Sequence, residues 1–414
     1  MTVLIHDGGL YPYAATKLAE SFGCVLYFTP YSADNFPVSR KALWGSGLPG
    51  VTRIKDFWDY VDDADVIVFP DIGNGDLQAW LRTKGYRVWG SAEAEVLEQD
   101  RVGLKRLMKT KGMDVPPTWI LDGMDELREH LEDPENENQY VKLSEFRGDF
   151  ETHHHQDAWG SQPWLRRTDH QLGPMRDRIQ FVVEGHLDGV EVGFDGFCVD
   201  GRFPLTTVYG YEAKDVAYIG RVARYSELPA VLRAVNNDLA PVLGELGCRS
   251  MFSTEVRVAK DGTGYLIDPS LRFPSPPSEA VLETFSNWPE IFYAGADGEI
   301  IEPIVKHLYC AELVLRSPWA ENDFLALQFP DEFRSLIKLH GHAIVDGVDH
   351  VVSLGMDVIG AAVGLGDTMD EACAQAIEVA KSIQAEGLEF SEDEGFDAIK
   401  KSIEQGIKCG VNWD

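Results

Sequence analysis

The stretch YLIDPSLRF, residues 265–273, follows the turn Asp261-Gly262-Thr263-Gly264 and sets Asp268, Ser270 and Arg272 at every second position. Side chains of a strand alternate between its two faces. The spacing predicts an acid, a hydroxyl and a guanidinium on one face, with Ile267, Pro269 and Leu271 on the other. A solvent-facing edge strand would read the same way. The segment before the turn, STEVRVA (253–259), reads as a partner strand carrying Glu255. An antiparallel hairpin would bring Glu255 beside Asp268. Two carboxylates that close need a cation or a shared proton. Hard oxygen ligands on a rigid sheet suit Mg²⁺ (or Mn²⁺), above all next to substrate phosphates. Ser270 adds an oxygen on that face, and the Arg272 fork can grip phosphate.

Upstream, TVLIHDGG reads as a strand and a Gly turn, YPYAATKLAESFG as a helix, and CVLYFTP and DADVIVFPD as strands. DLQAWLRTKG is a helix stopped at Gly85, and YRVWGS a further strand. Strands alternating with helices imply a parallel sheet, so residues 1–95 read as a Rossmann-like α/β domain. Gly8-Gly9 lacks the GxGxxG pattern of a dinucleotide site. Residues 96–115 read as one basic amphipathic helix. From 140 to 275 strands dominate, with Asp-Gly hairpin turns in DGFCVDGRF and RVAKDGTGYL and helices near 227–246 and 278–286. Residues 304–414 read as a separate α+β unit. In it MDVIGAAVGLG is a strand, Thr368-x-x-Glu371 a capping box, and GFDAIKKSIEQGI a closing helix. The domain division is then 1–95, 96–303 (with a small lobe at about 115–190) and 304–414.

The 414 residues are 44% hydrophobic, which excludes global disorder. A net charge of -31 argues against a hold on long nucleic acid. The cysteines contain no CxxC pair, and the chain shows no leader and no apolar run of membrane length, so a reducing cytoplasm is expected. His153, His154 and His155 suggest a metal, but adjacent residues rarely share one ion, and a loop or substrate role is preferred. Trp159, Trp164 and the Tyr209-Gly210-Tyr211 stretch read as core or lid packing before pocket lining.

Glu on one strand, a hairpin, and then acid-x-polar-x-Arg resembles the metal-binding hallmark of the ATP-grasp enzymes, here as Asp-x-Ser-x-Arg in place of Glu-x-Asn-x-Arg. Within that superfamily the chain is similar to the glycinamide ribonucleotide synthetases (phosphoribosylamine–glycine ligases). The likeness runs through YRVWGSAEAEVLEQDRVGLKRLM, YVKLS, QFVVEGHLDGVEVGF and GMDVIGAAVGLGDTMDEACAQAIEVAKSI. It implies an ATP-grasp fold of mixed α/β and α+β class. It also implies a ligase that joins a small amino acid to an amine through an acyl phosphate, using ATP and Mg²⁺. Lys142 would hold ATP phosphates, with Arg101 or Lys105 as a second cation; the following loop, EFRGDFETHHHQD, departs from the family's Gly-rich form, and Arg147 there could grip phosphate by its side chain instead. Glu184 and Leu187 would flank adenine, and Glu191 would take the ribose hydroxyls. Glu255, Asp268 and Ser270 would hold metal, and Arg272 would stabilise the transferring phosphoryl group.

The substrate loops depart from the family. The phosphoribosylamine loop is replaced by AYIGRVARYS (217–226), where Arg221 and Arg224 are the candidate substrate cations. FPSPPSE follows Arg272 without the family's Asp-Pro-Glu pattern. These changes leave the amine open between phosphoribosylamine and another phosphorylated or nucleotide-type acceptor. The shorter Asp268 and Ser270 in the metal motif leave a second class of function: a catalytically weak nucleotide-binding protein with a regulatory or scaffolding role.

Overall fold

The structure, a computed structural model, describes residues 1–30, 43–144, 152–351 and 355–413. The N-terminal part comprises β1 (Thr2–His6), α1 (Pro12–Ala19), β2 (Cys24–Phe28), β3 (Val51–Arg53), β4 (Val66–Val68), α2 (Gly75–Thr83) and β5 (Val88–Trp89). Its five strands form an all-parallel sheet in the order β3-β2-β1-β4-β5. Val3, Leu4 and Ile5 are fully buried because both faces are covered. Leu81 and Phe57 pack on one face and helices of the later chain on the other.

Next come α3 (Val96–Gln99) and α4 (Arg101–Lys111). The single helix expected over 96–115 is broken at Asp100. The Asp100 backbone leaves the helical region at φ -107° and ψ 84°, and its side chain accepts from the Gly103 amide, so it caps a new helix. Gly112, at φ 73°, ends that helix. The small lobe follows as β6 (Thr118–Asp122), α5 (Gly123–Glu132), β7 (Gln139–Leu143), β8 (Thr152–His155), α6 (Ala158–Leu172) and β9 (Gln180–Gly185), with sheet order β6-β9-β7-β8.

The main lobe contains β10 (Gly189–Val199), β11 (Thr206–Ala213), β12 (Ala217–Arg224), α7 (Ala230–Glu245), β13 (Arg249–Ala259), β14 (Gly264–Ser270), α8 (Ser278–Thr284) and α9 (Trp288–Ala296). Both expected hairpin turns are present, Asp200-Gly201 with two positive φ values and the second with Gly262 at φ 87°. The remainder is β15 (Tyr309–Arg316), β16 (Leu325–Gln328), β17 (Ile337–Leu339), β18 (His342–Val345), β19 (Val348–Val351), β20 (Val358–Gly366), α10 (Met369–Ser382), β21 (Gln384–Ala385) and α11 (Glu394–Lys408).

One eight-stranded antiparallel sheet, β14-β13-β10-β11-β12-β15-β20-β17, crosses the boundary expected at 303/304. β15 hydrogen-bonds directly to β12, with Ile219 opposite Ala311. Residues 304–414 thus extend the main sheet, and only β18-β19-β16-β21 form a sheet of their own. Gly364 lets α10 lie on β20, since a Cβ there would sit 2.0 Å from the Ala372 carbonyl oxygen. The capping box is complete: the Glu371 amide donates to Thr368 Oγ1 and the Thr368 amide to Glu371 Oε2. Thr368→Ala is expected to cost about 1 kcal/mol of unfolding free energy, read from urea denaturation. An unchanged midpoint would remove the cap from the account. Among the described residues no helix is long and apolar enough to cross a membrane.

Candidate active site

A cleft of about 1420 Å³ runs between the small-lobe sheet and the main sheet. Its floor follows the period of two that a strand imposes. Glu191, Gly193 and Asp195 come from β10, Gly210 and Glu212 from β11, and Ser253, Glu255 and Arg257 from β13. Glu255 pairs in register with Asp268, and Ser253 with Ser270. Asp268, Ser270 and Arg272 all line this cleft. Strict alternation fails once, however. Val256 pairs with Leu266, so Ile267 is an extra residue, a β-bulge. The bulge reverses parity: Leu266 is buried in the core, while Asp268 two residues on faces the cleft. The expectation that Ile267 shares the apolar face is corrected here. It lines the cleft, and its carbonyl accepts from Lys105 Nζ at 3.4 Å.

Cations and acids interlock across the cleft. Lys142 of β7 stands 2.7 Å from Asp268 and 3.2 Å from Glu184 of β9. Lys105 of α4, 2% exposed, lies 2.8 Å from Glu184. Arg101 approaches Asp268 at 3.8 Å and donates to the Leu143 carbonyl. Burial opposes the charges of Lys142, Glu184 and Asp268, and their partners outweigh it. Asp268 is held at about 2 by Lys142 and then Arg101. Asp268 and Glu184 hold Lys142 above the ordinary lysine range. Lys142 and Lys105 hold Glu184 below the ordinary carboxylate range.

At the other end of the Glu255–Asp268 pair, Lys214 sits among Glu255 (2.8 Å), Glu212 (3.5 Å) and Glu191 (3.6 Å). Burial pushes Glu212 up to about 7, with repulsion from Glu255 and Glu191 adding to it against the pull of Lys214. Burial, then Glu191 and Asp268, raise Glu255 as well, again against Lys214. Arg257 takes the second Glu191 oxygen at 3.3 Å. Arg272 Nε meets Glu98 Oε1 at 2.8 Å, and the Leu271 amide donates to Glu98 Oε2. Asp195 accepts from the Tyr218 and Ser253 hydroxyls at 2.6 and 2.7 Å, yet burial still pushes it up to about 6. Tyr218 has room because Gly210 and Gly220 flank it: a Cβ on Gly210 would lie 2.4 Å from its hydroxyl.

Among the described residues no three His, Cys, Asp or Glu side chains cluster closely enough to hold a metal by themselves. Glu255 and Asp268, opposed in register with Ser270 beside them, fit an ion that completes its shell with phosphate oxygens, the usual habit of Mg²⁺.

No family model matches the sequence, and no curated protein matches it. Solved structures do. The phosphoribosylamine–glycine ligase of Thermotoga maritima superposes with a TM-score of 0.72 at 18% identity, over 95% of this chain and all of that one. The biotin carboxylase domain of 2-oxoglutarate carboxylase from Hydrogenobacter thermophilus, in complex with MgADP and bicarbonate, gives 0.67 at 12% identity over 99% of both chains. N5-carboxyaminoimidazole ribonucleotide synthetase of Thermotoga maritima gives 0.59 at 14%, over 93% and 99%.

The chain has the ATP-grasp fold. Within it, the candidate residues divide. Arg101, Lys142, Glu184, Leu187, Glu191, Glu255, Asp268, Ser270 and Arg272 line the ATP-grasp cleft, and Lys105 supports it from behind. Arg147 lies outside the described residues. Arg221 and Arg224 are not brought to the cleft. AYIGRVARYS supplies β12, an inner strand, and Arg221 has the opposite parity to the cleft-facing Tyr218. Its guanidinium bonds the Trp413 carbonyl and Tyr209 hydroxyl instead. Arg224 ends the strand, exposed, opposite Thr206.

Lys214, Glu212, Asp195, Tyr218 and Glu98 are among the cleft residues that sequence reasoning missed. Gly210-x-Glu212-x-Lys214 carries the same alternation as Asp268-x-Ser270-x-Arg272 and was the available signal. The three histidines are used in packing: His153 stacks on Trp164, His154 on Tyr140, and His155 bonds Ser161. Tyr209 and Tyr211 are buried as expected of core residues, whereas Trp159 is 87% exposed and neither packs a core nor lines the cleft.

Proposed function

We propose that this protein is an ATP-dependent carboxylate–amine ligase working with Mg²⁺ in a reducing cytoplasm. The carboxylate is a small amino acid such as glycine, and the acceptor is an amine of sugar-phosphate or nucleotide type. A carboxylate is a poor acyl donor because oxide would have to leave. Phosphorylation by ATP gives an acyl phosphate that an amine can attack, with phosphate departing. Such a transfer needs positioning and charge neutralisation more than a protein nucleophile.

The observation that carries this reading is the convergence of Lys142, Arg101, Asp268, Glu255 and Arg272 on one cleft. Lys142 and Arg101 would hold phosphate oxygens and Arg272 the transferring group. Glu255 and Asp268, with Ser270, would hold Mg²⁺, which would supply further neutralisation of phosphate charge. A second reading, nucleotide binding with little turnover, draws on the ion pairs that tie Asp268 to Lys142 and Glu255 to Lys214.

ADP release with Mg-ATP, glycine and a panel of amines, including phosphoribosylamine generated in situ, tests the reading. ADP that requires both carboxylate and amine is the expected result. ATP binding in a thermal-shift control with no ADP from any pair would favour the second reading.

A further inference from the structure

Beyond Arg272 the cleft wall is formed by Pro274, Ser275, Pro276 and Pro277. Three of these four carry no amide hydrogen, so this wall is poor in donors for a carboxylate or phosphate. Ser275 is exposed at the cleft, but its hydroxyl proton is committed. It donates to Glu279 Oε1 at 2.5 Å, and Glu279 is fully buried. His340, 6% exposed and just beyond β17, places Nε2 3.0 Å from the same oxygen and 3.4 Å from Ser275 Oγ. With its one proton spent on Glu279, Ser275 Oγ offers the cleft an acceptor and nothing else.

The geometry points to Ser275 as the group that receives an N–H of the attacking amine, held in that role by the buried Glu279–His340 pair. This rests on the ligase reading and deepens it. The nucleophile docks on the proline wall through its nitrogen, while anionic parts of the substrates stay with Arg272, Lys142 and Arg101. Glu279 and His340 are positioning residues: they touch Ser275 and not the substrate.

The test compares wild type, Ser275→Ala and Ser275→Thr, using the panel amine that best stimulates ADP release, or ethanolamine if none does. Loss of one hydrogen bond to the nitrogen should raise the amine KM about 10-fold in Ser275→Ala. The KM for ATP and the amine-independent positional isotope exchange in ATP should not move. Ser275→Thr, which keeps the hydroxyl, should restore the amine KM. Calorimetric titration with the same amine, in the presence of Mg²⁺ and a non-hydrolysable ATP analogue, should show the same weakening. Turnover with an amine KM unchanged by Ser275→Ala, or an equal rise in the KM for ATP, would overturn the proposal and leave the ligase standing. Amine binding that Ser275→Ala weakens, without ADP release in wild type, would keep the site and overturn the ligase. Neither binding nor turnover would overturn both.

Discussion

Asp268→Asn is expected to lower kcat/KM for ADP release by at least about 10²-fold, the penalty that ångström-scale misplacement of reacting groups commonly carries. The substitution keeps the side-chain volume and removes one of the two charges opposed at Glu255 and Asp268. A neutral amide is a weak ligand for a hard cation. It also takes from Lys142 its closest acid, at 2.7 Å, leaving Glu184 at 3.2 Å as the remaining partner. Lys142 would then lean toward Glu184 and away from the phosphates it is proposed to hold. The proposed metal and phosphate contacts would therefore fail together. The fold should survive, because Asp268 sits on the cleft face and its core neighbours Leu266 and Leu271 are untouched. Circular dichroism should be unchanged, and Mg²⁺-dependent ATP binding by calorimetry should weaken. Near-normal turnover in this variant would sink the metal assignment.

The sequence made the parallel N-terminal sheet, both Asp-Gly hairpins and the Thr368 capping box legible because each is written in local chemistry: period, turn residues, caps. That Glu255 and Asp268 would lie side by side was expected from the short turn, but the turn alone would set Ile267 opposite Glu255, and the register shift there brings Asp268 into place. What was not legible came from distant partners. Ile267 reads as one more alternating apolar residue, and only its pairing against β13 makes it a bulge. Arg221 reads as a substrate cation until β12 is flanked by β11 and β15, which turns it to the opposite face. Glu98 was not singled out within the expected basic helix, yet it meets Arg272 across 174 residues of chain. The continuity of the main sheet through β15 and β20 was hidden because strand order is a tertiary fact. The hairpin β18–β19 carries the same Asp-Gly turn at Asp346-Gly347, both at positive φ, a signal the sequence reading passed over.

Glu283→Gln should be the most destabilising single change outside the apolar core, costing about 3–5 kcal/mol, as expected when one partner of a buried ion pair is removed. Glu283 lies on α8 with its side chain 3% exposed. Its Oε1 accepts from Lys338 of β17 at 2.6 Å and its Oε2 from Lys17 of α1 at 2.8 Å. One carboxylate thus ties the N-terminal α/β unit and the far edge of the main sheet to the helix between them. Lys17 keeps Glu20 as a second partner, whereas Lys338, with its side chain 4% exposed, is left in low dielectric with a neutral amide.

Burial would raise the Glu283 carboxyl, but Lys338 and Lys17 hold it down at about 2, against an ordinary value of 4.5. A depressed folded-state value means that the stabilisation is fully present above about pH 4.5 and is lost as pH falls toward 2. A shift of that size corresponds to about 3 kcal/mol. The difference in unfolding free energy between wild type and Glu283→Gln should therefore stay flat from pH 8 to about 5 and shrink below that. Urea titrations across this range provide the check. A gap that persists unchanged at pH 3 would mean that shape, not charge, is what Glu283 contributes. A gap under about 1 kcal/mol at pH 7 would rank the cluster with exposed surface pairs.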